Sequence, residues 1–191
     1  SSTSRGLGDV YKRQKRGSAE NKRNLNMITL KQYTNEENQI LPLIQGFWKA
    51  HSHYEQSGEE AQEDLTNWTK DGHIIYFIQH DETTVGFAHV GSRGGKIDWL
   101  EDLFILPEYQ GSGFGSEAIH QLEEIVKQYS VSLYIEAAAR NEAAIRLYRK
   151  LGYDCLNTIT IRKDFPGYEY DVVRKEKIHE LEFEIRKDKA L

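Results

Sequence analysis

The chain has 191 residues, 38% of them hydrophobic and 29% charged, with a formal net charge of −5. That length fits one domain, and the composition is polar for a globular protein but not polar enough for disorder. No apolar run reaches the roughly 18 residues of a membrane span, and a single cysteine, Cys155, excludes both an internal disulfide framework and a multi-cysteine zinc site. The expectation is an intracellular, cytoplasmic, soluble protein.

Residues 1–26 differ in charge from the rest of the chain. They hold seven Lys/Arg and two acids, a net +5, which leaves 18 bases and 28 acids, or −10, over residues 27–191. The stretch has almost no apolar periodicity and should not fold. It also lacks the apolar region of a secretory signal. The one methionine, Met27, opens the strand-like Met27-Ile28-Thr29-Leu30 and reads as the initiator. Residues 2–14 resemble translated sequencing-adapter sequence. The expectation is a disordered or artefactual extension over 1–26 and a folded domain over 27–191. The alternative is a basic arm for nucleic acid or a transit peptide, and the domain's own acidity argues against nucleic acid.

Residues 27–33 read as a strand. Ile40, Leu43, Ile44, Phe47 and Trp48 recur at helical spacing and predict a helix over 36–50, with Pro42 in its first turns. A second helix is expected over 59–71, with Ala61, Leu65 and Trp68 on one face. His73 to His80 is a dense strand. Asp81 to Thr83 turns the chain back into a hairpin partner over 85–90. A longer strand follows from Ile97 to Leu106. A glycine-rich loop then leads into a helix to about Tyr129, striped by Ala118, Ile119, Leu122, Ile125 and Val126. Val131 to Ala137 reads as a strand, and Asn141 to Leu151 as a helix stopped by Gly152. Residues 153–162 and about 181–186 supply two final strands. Antiparallel hairpins followed by a strand–helix–strand unit imply an α/β (α+β) domain, a mixed central sheet of about seven strands flanked by about four helices.

The chemistry begins at Gln110-Gly111-Ser112-Gly113-Phe114-Gly115-Ser116, between a strand and a helix. Glycines permit tight backbone and close approach of a ligand. The first turn of a helix leaves N–H groups unpaired, and these with the helix dipole favour an anion such as a diphosphate. No Gly-Lys-Ser/Thr is present, so a nucleoside-triphosphate loop is disfavoured. A dinucleotide fingerprint would want the first strand of a parallel unit, not the fourth strand after hairpins. A glycine turn without a ligand is the plainer alternative.

A second block lies downstream, from Asn141 through Ala144 and Tyr148 to Gly152 and Tyr153. Together the two blocks resemble the GNAT superfamily of N-acetyltransferases over about residues 27–165. Gln110, Gly113 and Gly115 match its Arg/Gln-x-x-Gly-x-Gly/Ala acetyl-CoA loop. Asn141, Ala144, Tyr148, Gly152 and Tyr153 match its Asn-x-x-Ala-x-x-x-Tyr-x-x-x-Gly-Phe/Tyr segment. The resemblance implies that the fourth and fifth strands splay apart and that the pantetheine arm pairs with backbone of Leu103, Phe104 and Ile105. It implies a diphosphate on the amides from Gly111 to Ser116, Asn141 at the pantetheine end, and Tyr148 near the sulfur. Gln110 stands where many members have Arg, which loses a charge and keeps a hydrogen-bonding side chain.

Acetyl transfer needs an amine free of its proton, a stabilised thioester oxygen and a proton for the departing thiolate. Tyr148 is the implied general acid; the alternative is simple packing on the cofactor. Glu101 is the leading base, direct or through water. In Trp99-Leu100-Glu101-Asp102-Leu103-Phe104, strict alternation puts Glu101 with Leu103 and Asp102 with Leu100, so only one carboxylate faces each side. The sequences around Glu101 and Gly113 look like the polyamine (diamine) acetyltransferase branch, which has a glutamate in the amine site at the position of Glu101. Glu136 is the rival, as in the ribosomal-protein N-terminal acetyltransferases. A surface ion pair is the alternative for both.

His53, Tyr54 and Glu55 follow the first helix, where this superfamily often builds its acceptor pocket. His51-x-His53 is not a metal site without further ligands, so no metal is expected. Cys155 reads as structural. The leading expectation is acetyl transfer from acetyl-CoA to the primary amine of a small cationic molecule, polyamine- or aminoglycoside-like, in a ternary complex. Protein or peptide acetylation and a non-catalytic acyl-CoA-binding module are the alternatives. No nucleic-acid or membrane partner is expected, and a homodimer is compatible with the superfamily.

Overall fold

The computed structural model describes residues 27–189, so the expectation for residues 1–26 lies outside the described residues. The elements run β1 (Ile28–Gln32), α1 (Glu37–Ser52), α2 (Gly58–Trp68), β2 (His73–His80), β3 (Thr83–Ser92), β4 (Ile97–Ile105), a short 3-10 turn (Pro107–Tyr109), α3 (Phe114–Val126), β5 (Tyr134–Ile135), α4 (Glu142–Leu151), β6 (Tyr170–Ile178) and β7 (Leu181–Asp188). From β1 through α4 the order of strands and helices is the one expected. The chain divides into one unit that ends at Ile135 and a second that begins at Glu136. No helix among the described residues is long and apolar enough to cross a membrane.

The first unit is a five-stranded sheet in the order β1-β2-β3-β4-β5. β1 to β4 are antiparallel neighbours, and β5 joins β4 in parallel. The β2–β3 hairpin turns on Asp81 and Glu82, both at positive φ, which matches the right-handed twist of the flanking strands. One face of the sheet is covered by α1 and α2. Ile40, Leu43, Ile44 and Phe47 of α1 pack with Ala61 and Leu65 of α2 on Ile75, Phe77, Phe87 and Phe104. The other face meets α3, whose Phe114, Ala118, Ile119, Leu122 and Val126 are all buried. Gly46 on α1 is where helix and sheet come closest: a Cβ there would stand 3.2 Å from the Phe104 ring.

α2 begins with a capping box, Ser57 and Glu60 each satisfying the other's backbone N–H. Pro42 lies inside α1 rather than at its start. It is exposed, so the Asn38 carbonyl that loses its helical donor is on the solvent side.

The second unit holds α4 and the β6–β7 hairpin, which forms a separate two-stranded sheet. The single seven-stranded sheet is therefore corrected to five strands and two. The expected strand over 153–162 is also corrected: that segment is irregular, with Leu156, Ile159 and Ile161 exposed. A strand needs a partner for its ladder, and none faces this segment among the described residues. β6, over 170–178, is the strand the pattern missed. It carries exposed Val172 and Val173 among charges and is held by its backbone ladder with β7, with Lys175 paired across to Glu182 at 2.7 Å. The strand expected over 131–137 shrinks to Tyr134–Ile135, with Tyr134 stacked on Trp99 at 4.9 Å.

Candidate functional site

β4 is the axis of the candidate site. Its pairing with β5 covers only Trp99↔Tyr134 and Leu100↔Ile135. From Glu101 to Ile105 the edge of β4 that β5 would occupy has no strand beside it among the described residues. Leu103, Phe104 and Ile105, the residues expected to pair with a pantetheine arm, lie on that open stretch. Their inner edge is tightly bound to β3. A Cβ on Gly86 would strike the Phe104 carbonyl oxygen at 2.0 Å, so only glycine permits this approach.

The strand runs into the glycine loop. Gln110 Nε2 donates to the Ile105 carbonyl at 2.8 Å, which ties the start of the loop to the end of β4. Gly111 and Gly113 both have positive φ, 76° and 87°, and a Cβ on either would meet no atom within 4 Å. Gly113 is the N-cap of α3 and has no side chain, so the first-turn amides at Phe114, Gly115 and Ser116 receive no acceptor from the N-cap residue. Phe114 turns inward and anchors the helix start, and Gly115 faces Leu103 and Ile105. Open strand edge, glycine loop and uncapped helix end thus follow one another along the chain, with the 3-10 turn Pro107–Tyr109 between the strand and the loop.

Glu101 sits at a β-bulge. His89 of β3 faces Asp102, but the next residue, Val90, faces Leu100, so Glu101 is the extra residue of β4. The bulge corrects the expected alternation, because Glu101 and Asp102 now share the α1–α2 face. Asp102 Oδ2 is 2.8 Å from His89 Nδ1, and His89 Nε2 is 2.9 Å from His73 Nδ1. Glu101 joins this group beside Gly91. A Cβ on Gly91 would lie 2.9 Å from His73 Nδ1 and 3.1 Å from Glu101 Cγ, so the absent side chain is what leaves room for both. The Glu101 carboxylate also takes two bonds from the Arg93 guanidinium, at 3.1 and 2.7 Å. That pairing, helped by the histidines, outweighs burial and holds the Glu101 carboxyl below the usual carboxylate range.

The residues after α1, expected near the acceptor, have the following surroundings. His53 caps α1 in the left-handed region, its N–H on the Lys49 carbonyl at 3.1 Å. The Tyr54 hydroxyl donates to Glu60. Glu55 pairs with Lys49 at 2.9 Å. Gln45, Gly46, Lys49, Glu55 and Gln56 line an open depression of about 270 Å³. Of the three expected residues, Glu55 alone borders it.

In the second unit, Asn141 is the N-cap of α4, and its Oδ1 accepts from the Ala144 amide at 3.2 Å. Tyr148 is half-buried on that helix, and burial pushes its phenol above the ordinary tyrosine value. Glu136 is exposed. Among the described residues no group of three or more His, Cys, Asp or Glu is arranged for a metal ion. His73, His89, Arg93 and Asp102 are the site residues that sequence reasoning missed. Two histidines on hairpin-paired strands were a visible signal, but their alignment with Asp102 depends on the bulge.

A family model, Acetyltransferase (GNAT) family, matches residues 40–153, and the chain belongs to this family. Among curated relatives, it is 35% identical over 83 residues to the Uncharacterized N-acetyltransferase ycf52 of Porphyra purpurea, covering 42% of this chain and 47% of that protein. It is 36% identical over 67 residues to the [Ribosomal protein bS18]-alanine N-acetyltransferase of Escherichia coli K12, covering 35% and 43%. To the Aminoglycoside N(6')-acetyltransferase type 1 of Acinetobacter baumannii it is 28% identical over 74 residues, covering 38% and 51%. The chain spans about half the length, or less, of these curated relatives.

Solved structures share the fold. The aminoglycoside acetyltransferase AAC(6')-Iy, in complex with a CoA bisubstrate analogue, superposes with a TM-score of 0.57 at 16% identity, covering 73% of this chain and 99% of that one. AAC(6')-Ih of Acinetobacter baumannii gives 0.55 at 18%, covering 74% and 100%.

Proposed function

We propose that this chain transfers an acetyl group from acetyl-CoA to the primary amine of a small cationic molecule. The observation that carries the reading is the open edge of β4 from Glu101 to Ile105, followed along the chain by the uncapped amides at the start of α3. An extended amide-bearing arm can add to a strand edge as another strand would. A diphosphate suits the Gly111–Ser116 loop and helix end. These two demands, met in sequence along one stretch of chain, fit the pantetheine and diphosphate of acetyl-CoA.

Charge sets the roles. Backbone N–H groups on the open edge would stabilise the thioester oxygen as it gains charge. Glu101 stays ionised because Arg93 holds its carboxyl low, which suits it to attract an ammonium group and order water beside it. Tyr148 is the proposed donor to the departing thiolate. An aliphatic thiol titrates near 8.5 and a phenol near 10, and burial raises this phenol further, so the proton is present at neutral pH. Glu136 is the second carboxylate proposed for the amine. Asn141 and Ala144 are proposed on the pantetheine side, and His53, Tyr54 and Glu55 near the acceptor. The relative named for ribosomal protein bS18 supports a second reading, acetylation of a peptide N-terminus. The −10 charge over residues 27–191 favours the cationic small molecule.

The test is free-thiol release from acetyl-CoA by the full chain against spermidine, kanamycin, lysine methyl ester and an alanine-ended peptide. Release with one small cation, cut at least 100-fold in Tyr148→Phe, is expected, the scale of general acid catalysis. Release with the peptide alone moves the assignment to protein acetylation. Acetyl-CoA binding without release overturns acetyl transfer to amines of these classes.

A further inference from the structure

The polar group at one end of the α1–α2 face is out of keeping with its surroundings. His89 is 2% exposed and stacks on Trp68 at 4.9 Å, the one buried polar residue among the described core. Burying it unpaired would be costly, and both of its ring nitrogens are in fact engaged.

The chain of bonds admits one arrangement of protons when both rings are neutral. The Asp102 carboxylate only accepts, so His89 Nδ1 carries the proton it donates at 2.8 Å. His89 Nε2 then has a lone pair and can only accept. His73 Nδ1, 2.9 Å away, must donate to it. This leaves the lone pair of His73 on Nε2, which makes no hydrogen bond to protein among the described residues.

We infer that His73 is a further catalytic residue, its Nε2 held unprotonated by the Asp102–His89 chain to take a proton from the acceptor amine, directly or through one water. The inference rests on the acetyl-transfer reading, and it separates two tasks that one carboxylate would otherwise share. Glu101, bound to Arg93, attracts the ammonium; His73, its neighbour across Gly91, removes the proton. His89 and Asp102 are positioning residues, which act through His73.

The charged and titratable groups around His73 are Lys70 from the turn before β2, His89 from β3, and Glu101 from β4 with Arg93 behind it. Burial, then His89, with Lys70 in support, push the ring below the ordinary histidine value against the pull of Glu101. The ring is therefore neutral and able to accept at neutral pH. An ammonium that becomes an amide loses two protons. One goes to His73 Nε2 and on to water. As the N–C bond forms and the C–S bond breaks, the second amine proton balances the one that the departing thiolate takes up.

Two measurements on the full chain decide it. Long-range proton–nitrogen spectra at about pH 7.5, where ordinary histidines are neutral, should show His73 and His89 both as Nδ1–H tautomers. Asp102→Asn should shift His73 toward the other tautomer. In initial-rate kinetics with whichever of the four panel amines turns over best, His73→Gln should lower kcat/KM at least 100-fold. The acid limb of the wild-type profile should lie below the ordinary histidine value of 6.5 and vanish in the variant. Added imidazole should restore turnover to His73→Ala, and the acetyl-CoA Kd should stay within about twofold in both variants, below the tenfold that marks a lost contact. An Nε2–H tautomer at His73 in the wild type, or an unchanged pH profile in His73→Gln, overturns the inference. No turnover by the wild type overturns the acetyl-transfer reading and the role of His73 with it, while the tautomers still report the hydrogen-bond chain on their own.

Discussion

The starts of α3 and α4 offer the same problem and two solutions. Each helix opens with an acidic residue in its first turn and with amides that need partners. α4 satisfies one of these amides with its own cap, Asn141 Oδ1 accepting from the Ala144 N–H at 3.2 Å, and Glu142 separately pairs with Arg174 at 2.6 Å. α3 has glycine where a cap would be, at a φ of 87°. Its start is secured instead by Phe114, 5% exposed, against the sheet. A helix end held by packing can leave its donors for a ligand; one held by its own cap has already used a donor.

The largest effect should come from removing the packing that replaces the cap. Phe114→Ala is expected to cost about 3–5 kcal/mol in chemical denaturation, the range for a buried aromatic. Glu142→Ala, which removes the exposed ion pair to Arg174, should cost no more than about 1 kcal/mol. Equal costs would break the contrast.

Next is the open end itself. Gly113→Asp places a carboxylate among the donors proposed for a diphosphate. The acetyl-CoA Kd from calorimetry should rise at least tenfold, about 1.4 kcal/mol, in a chain whose circular dichroism is unchanged. A Kd within twofold of wild type would remove the diphosphate from this loop.

Asn141→Ala should cost about 1 kcal/mol of stability through the lost cap, and Asn141→Ser should recover it. An acetyl-CoA affinity that falls in both variants would mark Asn141 as a pantetheine contact as well as a cap. An affinity that follows stability would leave it a cap alone.

The smallest effect concerns Arg93. The Glu101 carboxyl is lowered in the folded state, so its contribution is present above the unfolded pKa, near 4.3, and is lost as pH falls through the folded value. Arg93→Ala should raise the Glu101 pKa in carbon-detected NMR and move acid unfolding to a higher pH. Stability at pH 7 should change by less than about 1 kcal/mol, because Arg93 is largely exposed. An unchanged Glu101 titration would leave the acid without its proposed electrostatic partner.

Much of the first unit was legible in the sequence. The dense apolar run from His73 to His80 became β2 with those bounds, and the stripes of 36–50 and 59–71 became α1 and α2 within a few residues. Such elements are written locally, since burying a face at a period of 3.6 or 2 needs no knowledge of the partner. The glycine loop was legible for the same reason: its positive φ values and missing cap belong to a few consecutive residues.

Other features depend on the partner. Residues 153–162 have strand-like composition but no ladder, while β6 has a poor pattern and a ladder with β7. The ladder between the two strands defines that hairpin, and its register cannot be read from either strand alone. The α1–α2 face of β4 was misread over one residue. Strict alternation sent Glu101 and Asp102 to opposite sides, and the bulge returned both to one.

The sequence by itself determined the order of the elements from β1 to α4, through local periodicity, and the family, through the resemblance of the Gln110–Gly115 and Asn141–Tyr153 blocks to its motifs. The tertiary structure alone decided which polar side chains meet. His73, His89 and Asp102 come from three strands, separated by 16 and 13 residues. Their contact exists only when the strands pair in one register and β4 carries its extra residue. A side chain's face in a sheet changes with a shift of one residue, so no pattern along the chain could have aligned the three.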